Sequence, residues 1–401
     1  MILPHLIFIF FFFALGACLG SFINVIVWRV PRGESIVNPP SHCPKCNTRL
    51  KWFDNIPVFG WIALGGKCRY CREWISPRYP IVEAFCGGLF VLVYVTMFIL
   101  QEGPCKPPGY VLTIQNEWPI YLIYMVTIAG LVPASLIDAE NFFVPIEIPW
   151  ITGAIALVIH TLTDRPYLPG ALNAQPLLGA MAMGSGIGLL ISLLLLRKKI
   201  IPQSFADGGP LLEIEKKDPA NQGPDQPPEF TAAQIREELR KEMLFLLPPL
   251  ILGGIWMLAC WKIDPIARQW NSLMNYHWFS GFLGSLWGGL MGGFVVWFVR
   301  IVFSMVLGRE AMGLGDVHIM LGVGAAVGAA GATLVFFVSP FIGLLVVIYK
   351  LVTRSGREVP FVPYLALATL VVMIFYCRFI VYLSPGMQGL MFMMHQELLG
   401  G

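Results

Sequence analysis

The chain has 401 residues, of which 56% are hydrophobic and only 13% are charged, with a net charge of +3. Soluble globular proteins carry about 25% charged residues, so this composition requires that much of the surface lies in lipid. The small net charge does not indicate nucleic acid as a partner, and we expect none.

The first apolar run, MILPHLIFIFFFFALGACLGSFINVIVW, lacks a basic n-region and exceeds the apolar core of a signal peptide, so we interpret it as a retained membrane span. Similar runs recur along the chain. They lie at about 4–27, 79–100, 118–138, 145–162, 174–196, 244–262, 279–307, 316–330, 332–352 and 363–384. The sequence predicts an all-α polytopic membrane protein with about ten transmembrane helices. Only the small-residue run GVGAAVGAAGA divides the eighth span from the ninth.

Polar segments between the spans divide the chain into six predicted parts. They are the first span (1–27), a loop (28–78), spans that carry Asp138 (79–162), two spans with a polar segment at 197–243 (163–262), C-terminal spans (263–385) and a tail (386–401). The 197–243 segment opens with RKK, contains the Pro-rich GPDQPP and ends in a short amphipathic helix that Thr231 can cap. We assign no chemistry to it.

Basic residues set the predicted orientation. Residues 28–78 contain nine Lys and Arg against three acidic residues. The positive-inside rule places this loop in the cytosol and the N-terminus outside. Counting spans onward then places the connections near 139–144, 197–243, 308–315 and 353–362 on the cytosolic side as well.

Two aspartates reach the same predicted face from distant parts of the chain. Asp138 ends the third span in LVPASLIDAENFFVP, and Asp316 begins the eighth in AMGLGDVHIM. Acidic residues in spans are costly and are functional candidates by default, although an interfacial residue facing lipid headgroups is the alternative for either one. Two adjacent carboxyls share one proton, so one can act as general base on a water while the other polarises a peptide carbonyl. Gly313 and Gly315 would let a substrate strand approach Asp316 closely.

Four cysteines form two C-x2-C pairs in the 28–78 loop. CPKC contains Cys43 and Cys46, and CRYC contains Cys68 and Cys71, after 21 intervening residues. Four thiolates presented by two tight turns suit a tetrahedral zinc ion, which would supply folding energy to a loop without its own core. The predicted cytosolic location disfavours disulfides, and redox-active pairs are the alternative. We therefore predict a small loop domain held by structural zinc.

These motifs together resemble the type IV prepilin peptidase family. GSFINVIVWRVPRGESIVNPPSHCPKC and FDNIPVFGWIALGGKCRYCREWISPRYPIVE are similar to its two cysteine motifs, and MGLGDVHIMLGVGA to its Gly-x-Gly-Asp segment. VPFVPYLALA resembles its entry into the last span. The resemblance covers roughly residues 16–150 and 281–372.

The resemblance implies a bifunctional aspartic peptidase of family A24 and N-methyltransferase, with Asp138 and Asp316 as catalytic residues. It implies cleavage of the basic leader of type IV prepilins or type II secretion pseudopilins at the cytosolic face of the bacterial inner membrane. Methylation of the new N-terminus from S-adenosyl-L-methionine would follow. The positions that match the family's motifs, and that we expect to bind this methyl donor, are Gly20, Asn24, Arg29, Glu83 and Gly87. Helix packing by Gly20 and helix anchoring by Arg29 are the alternatives.

The chain departs from the family pattern in two places. Pro145 is followed by Ile146 and Glu147, where the family usually has a second aspartate after the proline. Residues 163–262 add two spans and the polar segment, which preserves the sidedness of Asp316. A peptidase without methyltransferase activity, a proton- or cation-coupled transporter and an inactive assembly factor are the alternative functions. A transporter would be expected to place its charges near the middle of the membrane.

Overall fold

A computed structural model describes residues 2–204, 231–353 and 360–399. The linker GPDQPP lies outside these described ranges, as do residues 354–359 of the predicted cytosolic connection near 353–362. The predicted all-α polytopic fold is confirmed. The described helices are α1 (Ile2–Arg29), α2 (Phe59–Ala63), α3 (Arg78–Tyr94), α4 (Ile114–Asn141), α5 (Glu147–Thr163), α6 (Pro176–Arg197), α7 (Ala232–Lys262), α8 (Asp264–Met274), α9 (His277–Leu307), α10 (Leu314–Thr353) and α11 (Val362–Leu399).

Helix α10 makes two membrane passes. Its 40 residues would extend about 60 Å if straight, twice the apolar thickness of a bilayer. Gly328 interrupts the helix with φ 78° and ψ 171°. A Cβ added to Gly292 of α9 would lie 2.2 Å from the Met320 carbonyl oxygen and 3.3 Å from Ala332 Cβ. In a continuous helix Met320 and Ala332 would lie about 18 Å apart, yet both lie next to Gly292. The chain therefore reverses between them, at Gly328.

The described residues thus supply the ten predicted passes. Eight helices are long and apolar enough to cross a membrane, with α10 counted once among them. Helix α5, of 17 residues, is a shorter apolar helix, and the reversal at Gly328 divides α10. The division between the eighth and ninth spans therefore falls inside the small-residue run.

Glycines let the helix backbones touch at two interfaces. A Cβ on Gly20 of α1 would lie 2.7 Å from Glu83 Cα of α3, and one on Gly324 of α10 would lie 2.1 Å from the Gly288 carbonyl oxygen of α9. Small residues drive helix association in membranes because they permit such close approach. The second interface fixes the first half of α10, and hence Asp316, against α9.

Two parts of the chain differ from the sequence prediction. The predicted short amphipathic helix continues directly into the next span, so α7 is one helix of 31 residues. Thr231 caps it as predicted, in a capping box with Gln234. Residues 263–278, which separate the predicted spans 244–262 and 279–307, contain the helix α8. It starts at Asp264 and Pro265, and its buried Trp270 donates an indole hydrogen bond of 2.7 Å to the Pro176 carbonyl.

Candidate active site

Asp138 lies in the last turn of α4 and is only 8% exposed. The backbone N–H of Val362, the first residue of α11, donates a hydrogen bond of 3.0 Å to Asp138 Oδ2. Free N–H groups at a helix N-terminus stabilise a carboxylate, so the start of α11 both orients and solvates this side chain. The helix ends directly afterwards, because Phe142 adopts a left-handed conformation and returns its N–H to the Asp138 carbonyl.

Asp316 lies in the first turn of α10 and is 7% exposed. The N–H of Gly313 donates to its carboxylate. At Gly315 a Cβ would lie 3.0 Å from the Val144 side chain, so the start of α10 touches the α4–α5 connection. This approach brings the Asp316 and Asp138 carboxyls within range of each other's charge. The two aspartates that the sequence pairs are therefore both buried near the α4–α5 connection, where their charges interact.

A groove of about 420 Å³ opens beside the Gly-x-Gly-Asp segment (residues 313–316). Its lining is mainly apolar, with a basic and an acidic side chain next to each other in the connection from α9 to α10. The lining residues are Val299, Phe303, Leu307, Arg309, Glu310, Ala311 and Met312.

Four residues that bind Asp138 or support the segment before Asp316 were not identified from the sequence: Val362, Arg300, Glu242 and Glu310. The Val362 contact comes from the backbone, which no residue type signals. Arg300 did carry a signal, since an arginine in the middle of an apolar run requires a partner. His318, which the sequence assigns to packing, lies with its ring 6.1 Å from that of Trp150.

The four cysteines of the 28–78 loop converge on one point. Their Sγ atoms all lie within 4.8 Å of one another, and Cys43 Sγ is 3.8 Å from Cys71 Sγ. A tetrahedral zinc ion with Zn–S bonds of about 2.3 Å requires sulfurs about 3.8 Å apart. The cluster therefore fits a metal ion with four thiolate ligands.

The two C-x2-C turns have the same backbone geometry. Asn47 and Arg72 each follow the second cysteine of a pair, and both adopt a left-handed conformation, with φ 53° and 61°. Each returns its N–H to the carbonyl of the first cysteine, at 2.9 and 3.1 Å. Asparagine favours this conformation, whereas arginine gives no signal of it in the sequence.

Hydrogen bonds within the turns prepare the thiols for a cation. The hydroxyl and N–H of Thr48 lower the pKa of Cys46 to about 6. The N–H groups of Cys71 and Tyr70 lower the pKa of Cys68. At Cys71 the Glu73 N–H acts in the lowering direction, yet burial and the neighbouring thiols raise the pKa to about 12. Four adjacent sulfurs ionise together only around a cation.

The five expected methyl-donor residues all lie on α1 and α3. Gly20 and Gly87 are points where the two helix backbones touch. Asn24 donates to the Tyr79 carbonyl, and Arg29 donates to the carbonyls of Ser35 and Pro39. Glu83 accepts a hydrogen bond of 2.7 Å from the Val58 N–H. These contacts tie the cysteine loop to α1 and α3 and engage one Glu83 oxygen, the Asn24 amide N–H and two Arg29 nitrogens. The S-adenosylmethionine site stays a prediction.

Comparison with known proteins adds independent information. Residues 14–97 match the model of the bacterial peptidase A24 N-terminal domain. Similar proteins include a prepilin leader peptidase/N-methyltransferase of Myxococcus xanthus, 36% identical over 170 residues, or 41% of this chain and 45% of that protein. The chain is related to the prepilin leader peptidase/N-methyltransferases.

Further relatives carry the same name. The protein from Stutzerimonas stutzeri is 22% identical over 380 residues, which cover 88% of this chain and 86% of that protein. The one from Klebsiella pneumoniae is 43% identical over 88 residues, 20% of this chain and 39% of that protein. The chain spans less than half the length of the first curated relatives it matches, between 39% and 48%. No solved structure matches the chain.

The matched domain contains the C-terminal part of α1 from residue 14, the cysteine loop and α3. Asp138 and Asp316 lie outside it. The similarity therefore rests on the N-terminal part together with the longer alignments, while the roles of Asp138 and Asp316 stay predictions.

Proposed function

We propose that the chain is a membrane aspartic endopeptidase that cleaves the leader peptide of type IV prepilins or pseudopilins. The approach of Asp138 to Asp316, both buried at one end of the helix bundle, is the single observation that carries the proposal. The names of the relatives support the same activity. The transporter alternative gains no support from these relatives.

The reaction follows from two carboxyls that hold one proton between them. The ionised carboxyl removes a proton from a water, whose oxygen attacks the scissile carbonyl carbon. The protonated carboxyl donates a hydrogen bond to the carbonyl oxygen and stabilises the charge that develops there. Collapse of the tetrahedral intermediate breaks the C–N bond, and a proton passes to the leaving amine. The Val362 N–H keeps Asp138 oriented throughout.

The substrate follows from the groove beside Asp316. Apolar side chains, including Val299, Phe303 and Leu307, suit the apolar segment of a prepilin. The positive-inside rule puts this end of the bundle in the cytosol, because the nine basic residues of the 28–78 loop lie at the same end by span count. We therefore propose cleavage at the cytosolic face of the bacterial inner membrane.

Zinc is the metal we propose for the cysteine cluster, with Cys43, Cys46, Cys68 and Cys71 as ligands. Bound zinc would offset half of the charge of the four thiolates and join the two turns, with no position open for substrate. Methylation of the new N-terminus is a second proposed activity. Its support is the printed name of the relatives, N-methyltransferase, rather than any group of side chains in this chain.

The experiment that tests the activity co-expresses a prepilin with the wild type, Asp138→Asn, Asp316→Asn or Asp264→Asn. Asp264 is an exposed aspartate at the start of α8, so Asp264→Asn makes the same chemical change away from the site. Mass spectrometry of the pilin N-terminus reports cleavage and methylation together. We expect processing by the wild type and Asp264→Asn and none by the other two variants. Normal processing by Asp138→Asn or Asp316→Asn would refute the pair.

A further inference from the structure

A buried arginine lies behind the Gly-x-Gly-Asp segment. Arg300, in the membrane-spanning helix α9, is 1% exposed. A charge at such a position is costly unless other groups pair with it and satisfy its hydrogen bonds. The partners of Arg300 come from α7 on one side and from the connection between α9 and α10 on the other.

The side of the guanidinium that faces α7 is bound to Glu242. Arg300 Nη2 lies 3.1 Å from Glu242 Oε1, and Nε lies 3.3 Å from both carboxylate oxygens. The indole N–H of Trp297, one turn earlier on α9, donates a hydrogen bond of 2.7 Å to Glu242 Oε2. Glu242 is itself 2% exposed, so this carboxylate is fixed by two neighbouring donors of α9.

The other side of the guanidinium holds the connection that leads to Asp316. Arg300 Nη1 donates to Glu310 Oε1 at 2.7 Å and also to the Met312 carbonyl oxygen. The Ser304 hydroxyl, on the next turn of α9, accepts a hydrogen bond of 2.9 Å from the Ala311 N–H. Three consecutive positions before Gly313 are thereby fastened to α9. The charge of Arg300 also reaches the Asp316 carboxyl.

The planar fork of arginine makes this arrangement possible, because its N–H groups point to two sides at fixed angles. A buried ion pair adds little stability compared with an apolar pair of similar volume, since desolvation offsets the attraction. Its benefit is positional: Glu242 fixes the orientation of the guanidinium, and the guanidinium fixes the Met312 carbonyl four residues before Asp316.

We propose that Glu242 and Arg300 are positioning residues for cleavage, through which α7 sets the placement of Asp316. The inference rests on the proposed function, since placement of Asp316 has consequences for rate only in a peptidase. It gives the start of α7, which lies in the 197–243 segment with no assigned chemistry, a role in the active site.

The test uses the full-length enzyme in detergent with a prepilin peptide. Glu242→Gln removes the charge at constant size, and Trp297→Phe removes one donor to Glu242 while keeping an aromatic ring. Glu237→Gln makes the same change at an exposed position of α7 and is the matched control. Rates are expressed per folded molecule, with bound zinc as the measure of folded protein.

We expect kcat of Glu242→Gln to fall about tenfold or more with KM nearly unchanged, because a displaced catalytic group slows the chemical step rather than binding. Trp297→Phe should show a smaller loss in kcat, and Glu237→Gln should match the wild type. Wild-type kcat in both Glu242→Gln and Trp297→Phe would overturn the inference.

A second readout does not depend on peptidase activity. Arg309 is an exposed trypsin site within the fastened connection, and Arg72 is an exposed site in the cysteine loop. Glu242→Gln should accelerate trypsin cleavage at Arg309 but not at Arg72, since only the connection loses its anchor. Equal acceleration at both sites would show general destabilisation and refute positioning. If the wild type processes no prepilin, the proposed function fails while this comparison still decides whether α7 anchors the connection.

Discussion

The backbone N–H of Val362 lies 3.0 Å from Asp138 Oδ2, and 224 residues separate the two in the chain. The contact joins the last turn of α4 to the first residue of α11. An amide at a helix N-terminus has no partner within its own helix, so it is available to bind a carboxylate. The position of one proposed catalytic group is therefore set by the start of the last helix.

Val362→Pro tests this contact. Proline lacks the N–H but is tolerated at the first position of a helix, so α11 should still form. Loss of a hydrogen bond to a carboxylate costs about 1.5–3 kcal/mol. Where that loss falls on the transition state, cleavage slows roughly 10- to 100-fold. Val362→Ala, which keeps the N–H and trims the buried side chain, is the control. Equal rates of peptide cleavage in the two variants would contradict the assigned role.

Gly315→Ala should slow cleavage by on the order of tenfold, because catalytic groups tolerate displacements well below 1 Å. The new Cβ would meet the Val144 side chain at 3.0 Å and push the start of α10 away from the α4–α5 connection. Val144→Gly, which removes both side-chain atoms that lie 3.0 Å from the new Cβ, should by itself be close to the wild type. In the double variant the contact is relieved, and we expect most of the rate to return. A double variant as slow as Gly315→Ala would show that the contact with Val144 is not the cause.

Gly324→Ala should destabilise the protein by about 1–3 kcal/mol, the typical cost of overpacking a tight interface. Its Cβ would lie 2.1 Å from the Gly288 carbonyl oxygen, and neither backbone can yield without separating α9 from α10. Gly254→Ala in α7 is the matched control, since nothing lies within 4 Å of its added Cβ. Alanine there should stabilise the helix by up to about 1 kcal/mol. Thermal unfolding in detergent measures both; similar midpoints would contradict the packing at Gly324.

Cys43→Ser should abolish zinc binding. Three thiolates that remain at the cluster leave the tetrahedral site incomplete, and the two turns then lose the ion that joins them. Zinc content of the purified protein should fall from about one ion per chain to near zero, with lower protein levels in cells. Cys18→Ser, at an exposed position of α1, should keep its zinc. Retained zinc in Cys43→Ser would refute this ligand set.

Several features followed from residue patterns alone. Span lengths and the charge of the 28–78 loop predict ten passes with both aspartates at one end. The spacing of the cysteines predicts their cluster, since two tight turns of one loop have little freedom to separate. These signals are local or periodic, and each depends on composition over a few residues.

Other features depend on contacts between distant segments. The reversal of α10 could fall at any of several glycines in GVGAAVGAAGA, and only packing against Gly292 and Gly288 of α9 selects Gly328. The continuation of α7 without a break was missed because its polar first turns pack on α9 through Ile235 and Leu239. Arg72 adopts its left-handed conformation because the second cysteine turn requires it.

The amino-acid sequence by itself determined whether each segment lies in lipid or in water. A run of twenty apolar residues crosses a bilayer, and an acidic residue at the end of such a run must face polar groups. What only the tertiary structure decided was which partner that acid meets. Val362 acts through its backbone N–H, and Arg300 acts through a guanidinium that binds partners on two sides. Neither contact is indicated by a pattern of neighbouring residues in the sequence. Both arise only when helices far apart in the chain pack within hydrogen-bonding distance, because such bonds act over about 3 Å and not along the sequence.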